Sequence, residues 1–306
     1  MKKIPCFILI ILLALSLLGA GCTSPATPEK GLQTNTVTPV TIKTPVVPQS
    51  PVSTGDNRTG NVDDMVMQSL LARIGGRVNL SLETLDQNIS GAAKTLGDAG
   101  ISGSAADGIL DNLAASPPVI DAVTVTNEGE IAAVMPARFR NVIGESVANQ
   151  SHIIIGLRTG EPVLSGEFAI VEGSNASAIV YPVRSANGTA IGLISMPFDP
   201  ERLLSDAISP LIDERVYEVT VIQPDGRIIY ATNTSQVGMM SLSDPVFVFR
   251  PDLTRFINQV ISADSGNGTY VVHGTTTKPD VTVENYWTTV SLHGTPWRII
   301  LDTLRE

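Results

Sequence analysis

Cysteine is almost missing from this 306-residue chain, which holds only Cys6 and Cys22. Cys6 sits inside an apolar leader, so a mature chain would keep one thiol and no internal disulfide. Histidine is nearly as scarce. His152, His273 and His293 stand apart, with no Cys or His at metal-ligand spacing, so we expect no metal and no cofactor. Basic charge is also short: Lys and Arg number 20 against 30 Asp and Glu, a formal net charge of -10. That balance argues against nucleic acid, whose binding needs a basic face, and against a polybasic membrane contact. Catalytic motifs are missing too. Gly144-Glu-Ser-Val-Ala lacks the closing glycine of a nucleophile elbow. There is no Walker loop and no G-x-G-x-x-G opening a helix. We therefore expect no enzyme.

The amino end is rich in signals. Lys2 and Lys3 precede an apolar run from Ile4 to Leu18, followed by Gly19, Ala20, Gly21 and Cys22. This is the three-part layout of a secretory signal, and the run is shorter than the roughly 20 residues that span a bilayer comfortably. The segment resembles a prokaryotic lipobox with Gly19 in place of the usual Leu, which implies acylation at Cys22 and an anchor on the outer face of the cytoplasmic membrane. An uncleaved signal anchor would leave the same domain on the same side. Eight of the 15 asparagines, Asn57, Asn79, Asn88, Asn149, Asn175, Asn187, Asn233 and Asn267, open N-x-S/T sequons. Chance would give about two or three, so they are candidate glycosylation sites of an exported protein.

Residues 22–60 are Thr- and Pro-rich, with Pro25, Pro28, Pro39, Pro45, Pro48 and Pro51. Such a tether reaches on the order of 100 Å at about 3 Å per residue. About 245 residues follow, enough for one large or two small cores.

Leu71, Ile74, Val78, Leu82, Leu85, Ile89, Ala92 and Leu96 recur at spacings of three and four, one apolar stripe of a helix over residues 61–98. Gly75-Gly76 is the one place where it could break. So narrow a seam either pairs with a second copy as a homodimer or lies along a tall domain. Period two then takes over. Ile120–Val125 and Ile131–Met135 read as a hairpin, followed by strands at Pro162–Val171, Ser177–Val183 and Ala190–Met196. Asp199 and Pro200 open a helix. The cycle restarts with a hairpin, Tyr217–Gln223 and Arg227–Thr232, a helix at Leu253–Ile261, and strands at Gly268–His273, Val281–Leu292 and Trp297–Asp302. The fold class is α+β, a long N-terminal helix followed by two tandem PAS-like antiparallel sheet units.

This order resembles the double Cache sensor module. VTVTNEGEIAA at Val123–Ala133 and VTVIQPDGRIIYAT at Val219–Thr232 look like first hairpins of Cache units. AIVYPVRSANGTAIGLISM at Ala178–Met196 looks like central strands, and SLHGTPWRIIL at Ser291–Leu301 like a closing hairpin. The resemblance implies a signal peptide at 1–21, a lipid-anchored linker at 22–60, the helix at 61–98, a membrane-distal unit at 99–214 and a membrane-proximal unit at 215–306. It also implies a small-molecule pocket in the first unit.

Amino-acid-binding members carry an aromatic and Arg-rich cluster and an aspartate that this chain lacks: Asn149–Gly156 reads NQSHIIIG, and Pro197 stands where the aspartate is expected. The remaining candidates are Arg138, Arg140, His152, Arg158 and Tyr181. Their basic members suit a small carboxylate or other anion. The sequence reaches Glu306 without a membrane helix or signalling domain after the sheets. Output is accordingly expected through a separate membrane receptor or transporter. The competing expectation is a cell-surface structural or protein-interaction module whose sheets have filled interiors.

Overall fold

A computed structural model describes residues 57–170, 175–272 and 280–303, with side chains from residue 63 onward. The leader, Cys22, the tether, the Asn57 side chain and His273 lie outside the described residues. Helix α1 (Asn57–Ala99) has 43 residues, about 65 Å at 1.5 Å per residue. It runs unbroken across Gly75-Gly76. Ile74, Val78, Leu82, Ile89 and Leu96 on its stripe are all but inaccessible. Burying each stabilises the protein by about 1.5–3 kcal/mol, which outweighs the roughly 1 kcal/mol that each mid-helix glycine costs. The stripe is spent inside this chain, against both sheets and two shorter helices. The stripe is thus taken up within the chain, as in the tall-domain alternative.

After α2 (Ser104–Ala114), the first sheet is built from β1 (Ala122–Val125), β2 (Ile131–Met135), β3 (Val163–Leu164), β4 (Phe168–Ala169), β5 (Asn175–Arg184) and β6 (Ala190–Phe198). Its order is β2-β1-β6-β5-β3, with β4 also on β5. Helix α3 (Ser151–Thr159) crosses between β2 and β3, and α4 (Pro200–Ile208) leaves the sheet. The Asp199 side chain caps α4 by accepting from the Arg202 N–H, as read from the sequence. The second sheet comprises β7 (Tyr217–Ile222), β8 (Ile228–Ala231), β9 (Gly266–Val272), β10 (Val281–Leu292) and β11 (Thr295–Thr303). The short α5 (Pro245–Val248) and α6 (Pro251–Ser262) lie between β8 and β9. Its order is β8-β7-β11-β10-β9. The two sheets thus repeat one plan, an edge hairpin beside the last strand.

One expectation changes. The strand read over Pro162–Val171 is two short pieces, because Glu167 turns its N–H out of the ladder to Gln223 Oε1, beside the second sheet, at 3.0 Å. The run Ser151–Thr159, with three consecutive isoleucines and no element assigned from the sequence, is helix. β-branched residues favour strands, but here Gly160 stops a helix in the left-handed conformation (φ 64), and His152, Ile153 and Gly156 face inward.

Where α1 passes the β5–β6 turn the contact is close: a Cβ on Gly97 would sit 2.2 Å from the Arg184 carbonyl oxygen. At Gly91 of the same helix a Cβ would meet nothing. Gly97→Ala should therefore destabilise the protein by at least 1 kcal/mol despite alanine's helix preference. Gly91→Ala should stabilise it by about 0.5–1 kcal/mol. Urea unfolding midpoints of the two variants check this pair of signs.

Candidate functional site

Alternation along the strands of the first sheet sends Ala122, Ile194 and Met196 toward the layer of α1 and α2 and their neighbours Asp121, Val123 and Ser195 to the other face. On that other face lies a cavity of about 110 Å³. Its walls are mostly apolar, closed by Phe139 and Val142 from the 3-10 helix Ala137–Val142, by Ile153 of α3 and by Phe168 of β4. The polar groups reaching it are Asp121, Glu145, Gln150, His152 and Ser195. Asp121 is 7% exposed and Ser195 2%. The register Val123↔Ser195, extended by two residues, sets Asp121 beside Pro197. Asp121 thus stands across from the position where the resemblance places an aspartate.

His152 is buried and stacks on Phe168 with ring centroids 4.7 Å apart. Burial lowers its pKa to about 4, so the imidazole is neutral at neutral pH, one nitrogen donating and the other accepting.

The five residues singled out from the sequence do not converge. Only His152 lines this cavity. Arg138 is exposed and lies 4.5 Å over the ring of Phe139, and it is that ring, not the guanidinium, which faces inward. Arg140 pairs at the surface with Asp107 of α2 at 2.6 Å. Arg158 is exposed in the last turn of α3. Tyr181 points the opposite way, toward α1, where its hydroxyl donates to Asp86 at 2.9 and 3.0 Å. Burial, then that bond, push its pKa up to about 12. The expected basic set is therefore replaced by two carboxylates, with no Arg or Lys among the lining residues.

His293 occupies a hairpin turn, as read from the sequence, but at φ 49 it takes a left-handed conformation unusual for a side chain. Its Nε2 lies 2.6 Å from Asp86 Oδ1, and its ring stands edge-on to Tyr181 at 5.5 Å. Asp86 of α1 thus holds a tyrosine of the first sheet and a histidine of the second. Of the sequon asparagines, Asn88, Asn149, Asn175, Asn187, Asn233 and Asn267 are exposed, while Asn79 is half-buried and donates to Glu83. Among the described residues no group of three or more His, Cys, Asp or Glu could hold a metal ion, and no helix is long and apolar enough to cross a membrane.

Residues 80–200 match the family model described as HK/GC/Chemotaxis protein-like, sensor domain. No curated protein matches. Among solved structures, the chain resembles an extracellular ligand binding receptor from Desulfohalobium retbaense DSM5692, at 28% identity and TM-score 0.65. That match covers 77% of this chain but only 40% of the receptor. It also resembles the ligand binding domain of the Pseudomonas aeruginosa PAO1 amino acid chemoreceptor PctB in complex with L-Gln. There the identity is 14% and the TM-score 0.56, over 78% of this chain and 89% of that one. A third is the ligand-binding domain of the Pseudomonas fluorescens chemoreceptor CtaA in complex with L-isoleucine, at 14% and 0.58, over 80% and 92%. The fold, a long helix carrying two antiparallel sheets, is that of chemoreceptor ligand-binding domains of the double Cache type.

His152 titrates near 4 when folded and near 6.5 when unfolded, so the unfolded chain binds more protons between those values. Stability should fall as pH drops from about 6.5 to about 4, by roughly 3 kcal/mol from this group alone. His152→Gln should remove that share of the slope, as read from unfolding midpoints across the window.

Proposed function

We propose that the protein is the extracytoplasmic ligand-binding module of a sensor, holding one small solute in the cavity of its first sheet. The observation that carries this reading is the cavity itself, an apolar chamber with a few convergent polar groups on a chemoreceptor-type fold. A filled interior would have favoured a purely structural module.

The chemistry of the walls sets the ligand class. Asp121, Glu145, the Ser195 hydroxyl and a neutral His152 offer acceptors, and no cation lines the cavity among the described residues. An anion would meet like charge, whereas an ammonium near a carboxylate gains about 4 kcal/mol at 4 Å and intermediate dielectric. The solute is an amine, held at Asp121. The amino acids of the PctB and CtaA complexes fit less well, since their carboxylate would find no guanidinium or ammonium here.

The rest of the reading concerns placement. Acyl chains on Cys22 anchor the protein to the outer face of the cytoplasmic membrane, residues 22–60 hold the sheets away from it, and glycans occupy the exposed sequons. A membrane receptor or transporter reads the bound state.

Two experiments test these statements. In a thermal-shift screen an amine at 100 times its dissociation constant should add about 2.7 kcal/mol. Asp121→Asn should weaken that amine at least tenfold; stabilisation by small carboxylates alone, or none by any solute, would sink the reading. Separately, Cys22→Ser should move the expressed protein from the detergent phase to the aqueous phase on Triton X-114 partition. Unchanged partition would remove the lipid anchor.

A further inference from the structure

The second sheet has a cavity of its own, also about 110 Å³, on the face turned away from α1. That is room for roughly four waters or a solute of similar bulk. Its walls include Ile222, Ile228, Phe247, Phe256 and Ile300. Four charged or phenolic groups share this mixed lining with Thr220, Gln236 and Ser241. Asp302 and Glu218 come from adjacent strands in direct register, Tyr270 from β9, and Arg250 from the N-terminal boundary of α6.

Two of these groups stand out. Asp302 is 8% exposed, and its Oδ1 meets no partner among the described residues. The Arg250 Nη2 is likewise buried without one. Tyr270 stands between them, its hydroxyl 3.4 Å from Asp302 Oδ2 and its ring centroid 6.0 Å from the Arg250 guanidinium carbon. Buried polar atoms almost always find partners. A buried carboxyl oxygen and a buried guanidinium nitrogen, left unmet in one chamber, are two ends between which a ligand would fit.

We infer that the second sheet carries its own binding site for a small zwitterion, its carboxylate on Arg250 and its ammonium on Asp302. This site does not depend on the first cavity. Glycine, alanine and β-alanine have the required bulk and the two opposed ends. Burial, and behind it the charge of Glu218, raise the Asp302 pKa to about 8, so without a ligand the carboxyl is largely protonated at neutral pH. An incoming ammonium favours the ionised form and releases a proton. Affinity should therefore rise with pH up to about 8. The groups facing Asp302 in this cavity are Glu218, Tyr270 and Arg250, and of these only Glu218 opposes its ionisation.

The test uses the full chain carrying Asp121→Asn, so that the first cavity is disabled, titrated calorimetrically with glycine, L-alanine and β-alanine. Acetate and methylammonium serve as single-ended controls. We expect at least one zwitterion to bind at least tenfold more tightly than either control, and to bind more tightly at pH 8 than at pH 6. Arg250→Gln and Asp302→Asn should each weaken it at least tenfold, and Asp302→Asn should flatten the pH dependence. Asparagine mimics the neutral acid, so that variant should stay folded, which circular dichroism checks. If it does not, Arg250→Gln with the pH profile decides alone. No zwitterion binding in the Asp121→Asn protein, or binding that Arg250→Gln leaves untouched, overturns the inference. Zwitterion binding lost with Asp121→Asn but kept with Arg250→Gln belongs to the first cavity and overturns only the second site.

Discussion

Everything in this molecule is arranged around the buried stripe of α1. A two-layer unit of one small sheet and short helices has little apolar area to bury, and each sheet here packs strands of one face against the same long helix, with α2 and α4 covering the outer strands. Ile74 and Val78 lie along the stretch of α1 near the second sheet, Ile89 and Leu96 along the stretch near the first. One continuous cluster of buried side chains results, running from Met67 to Leu301. The units are therefore not beads on a string. Contacts off the helix fasten them further: the Thr295 hydroxyl donates to the Leu164 carbonyl at 2.7 Å, and Arg227 lies 3.7 Å from Glu167.

Because α1, with α2 and α4, takes one face of each sheet, the other face is left to the crossing segments. In the first sheet these are the 3-10 helix and α3; in the second, α5 and α6. Neither set fills its sheet completely. The two cavities are thus equivalent consequences of one plan, and their difference is chemical: acceptors without a cation in the first, an acid and a guanidinium in the second. Arg298 shows what a settled cation looks like in the same sheet. Its guanidinium donates to the Val260 carbonyl at 3.1 Å and to Thr289 at 2.6 Å, near the end of α6 where a cation also complements the helix dipole. Arg250 has no comparable set of partners among the described residues.

The sequence made the scaffold legible because the scaffold is periodic. The three-four spacing from Leu71 to Leu96 and the alternation in Val123–Val125 and Val219–Ile222 are short-range patterns that burial dictates directly. The cavities were less legible, since they join residues distant in sequence: Asp121 with His152 and Ser195, or Arg250 with Asp302. Charge was the misleading guide. Arg138, Arg140 and Arg158 fall in the right region, but long guanidinium side chains reach the surface unless something holds them inside. The better signal was a polar residue interrupting a buried strand. In Ile120-Asp-Ala-Val the period places Asp121 with Val123, and in Ile299-Ile-Leu-Asp it places Asp302 with Ile300, on the face away from α1. Nothing local foretells that Asp86, Tyr181 and His293 meet, because their meeting depends on how two sheets dock on one helix.

That same alternation determines how a filled cavity can be felt at a distance. Asp121 and Ala122 are consecutive on β1, as are Ser195 and Met196 on β6 and Leu301 and Asp302 on β11. In each pair one side chain faces a cavity and the other joins the buried cluster that α1 organises. No side chain in these close-packed layers shifts without moving its neighbour through the strand. A ligand can change the helix only to the extent that it binds one arrangement of the strand better than another. Asp86 is where such a difference becomes common to both sheets, since one carboxylate holds Tyr181 and His293 together. A change in how β5 sits on α1 alters the partner available to the β10–β11 turn, and the reverse holds equally, because coupling between two sites is reciprocal.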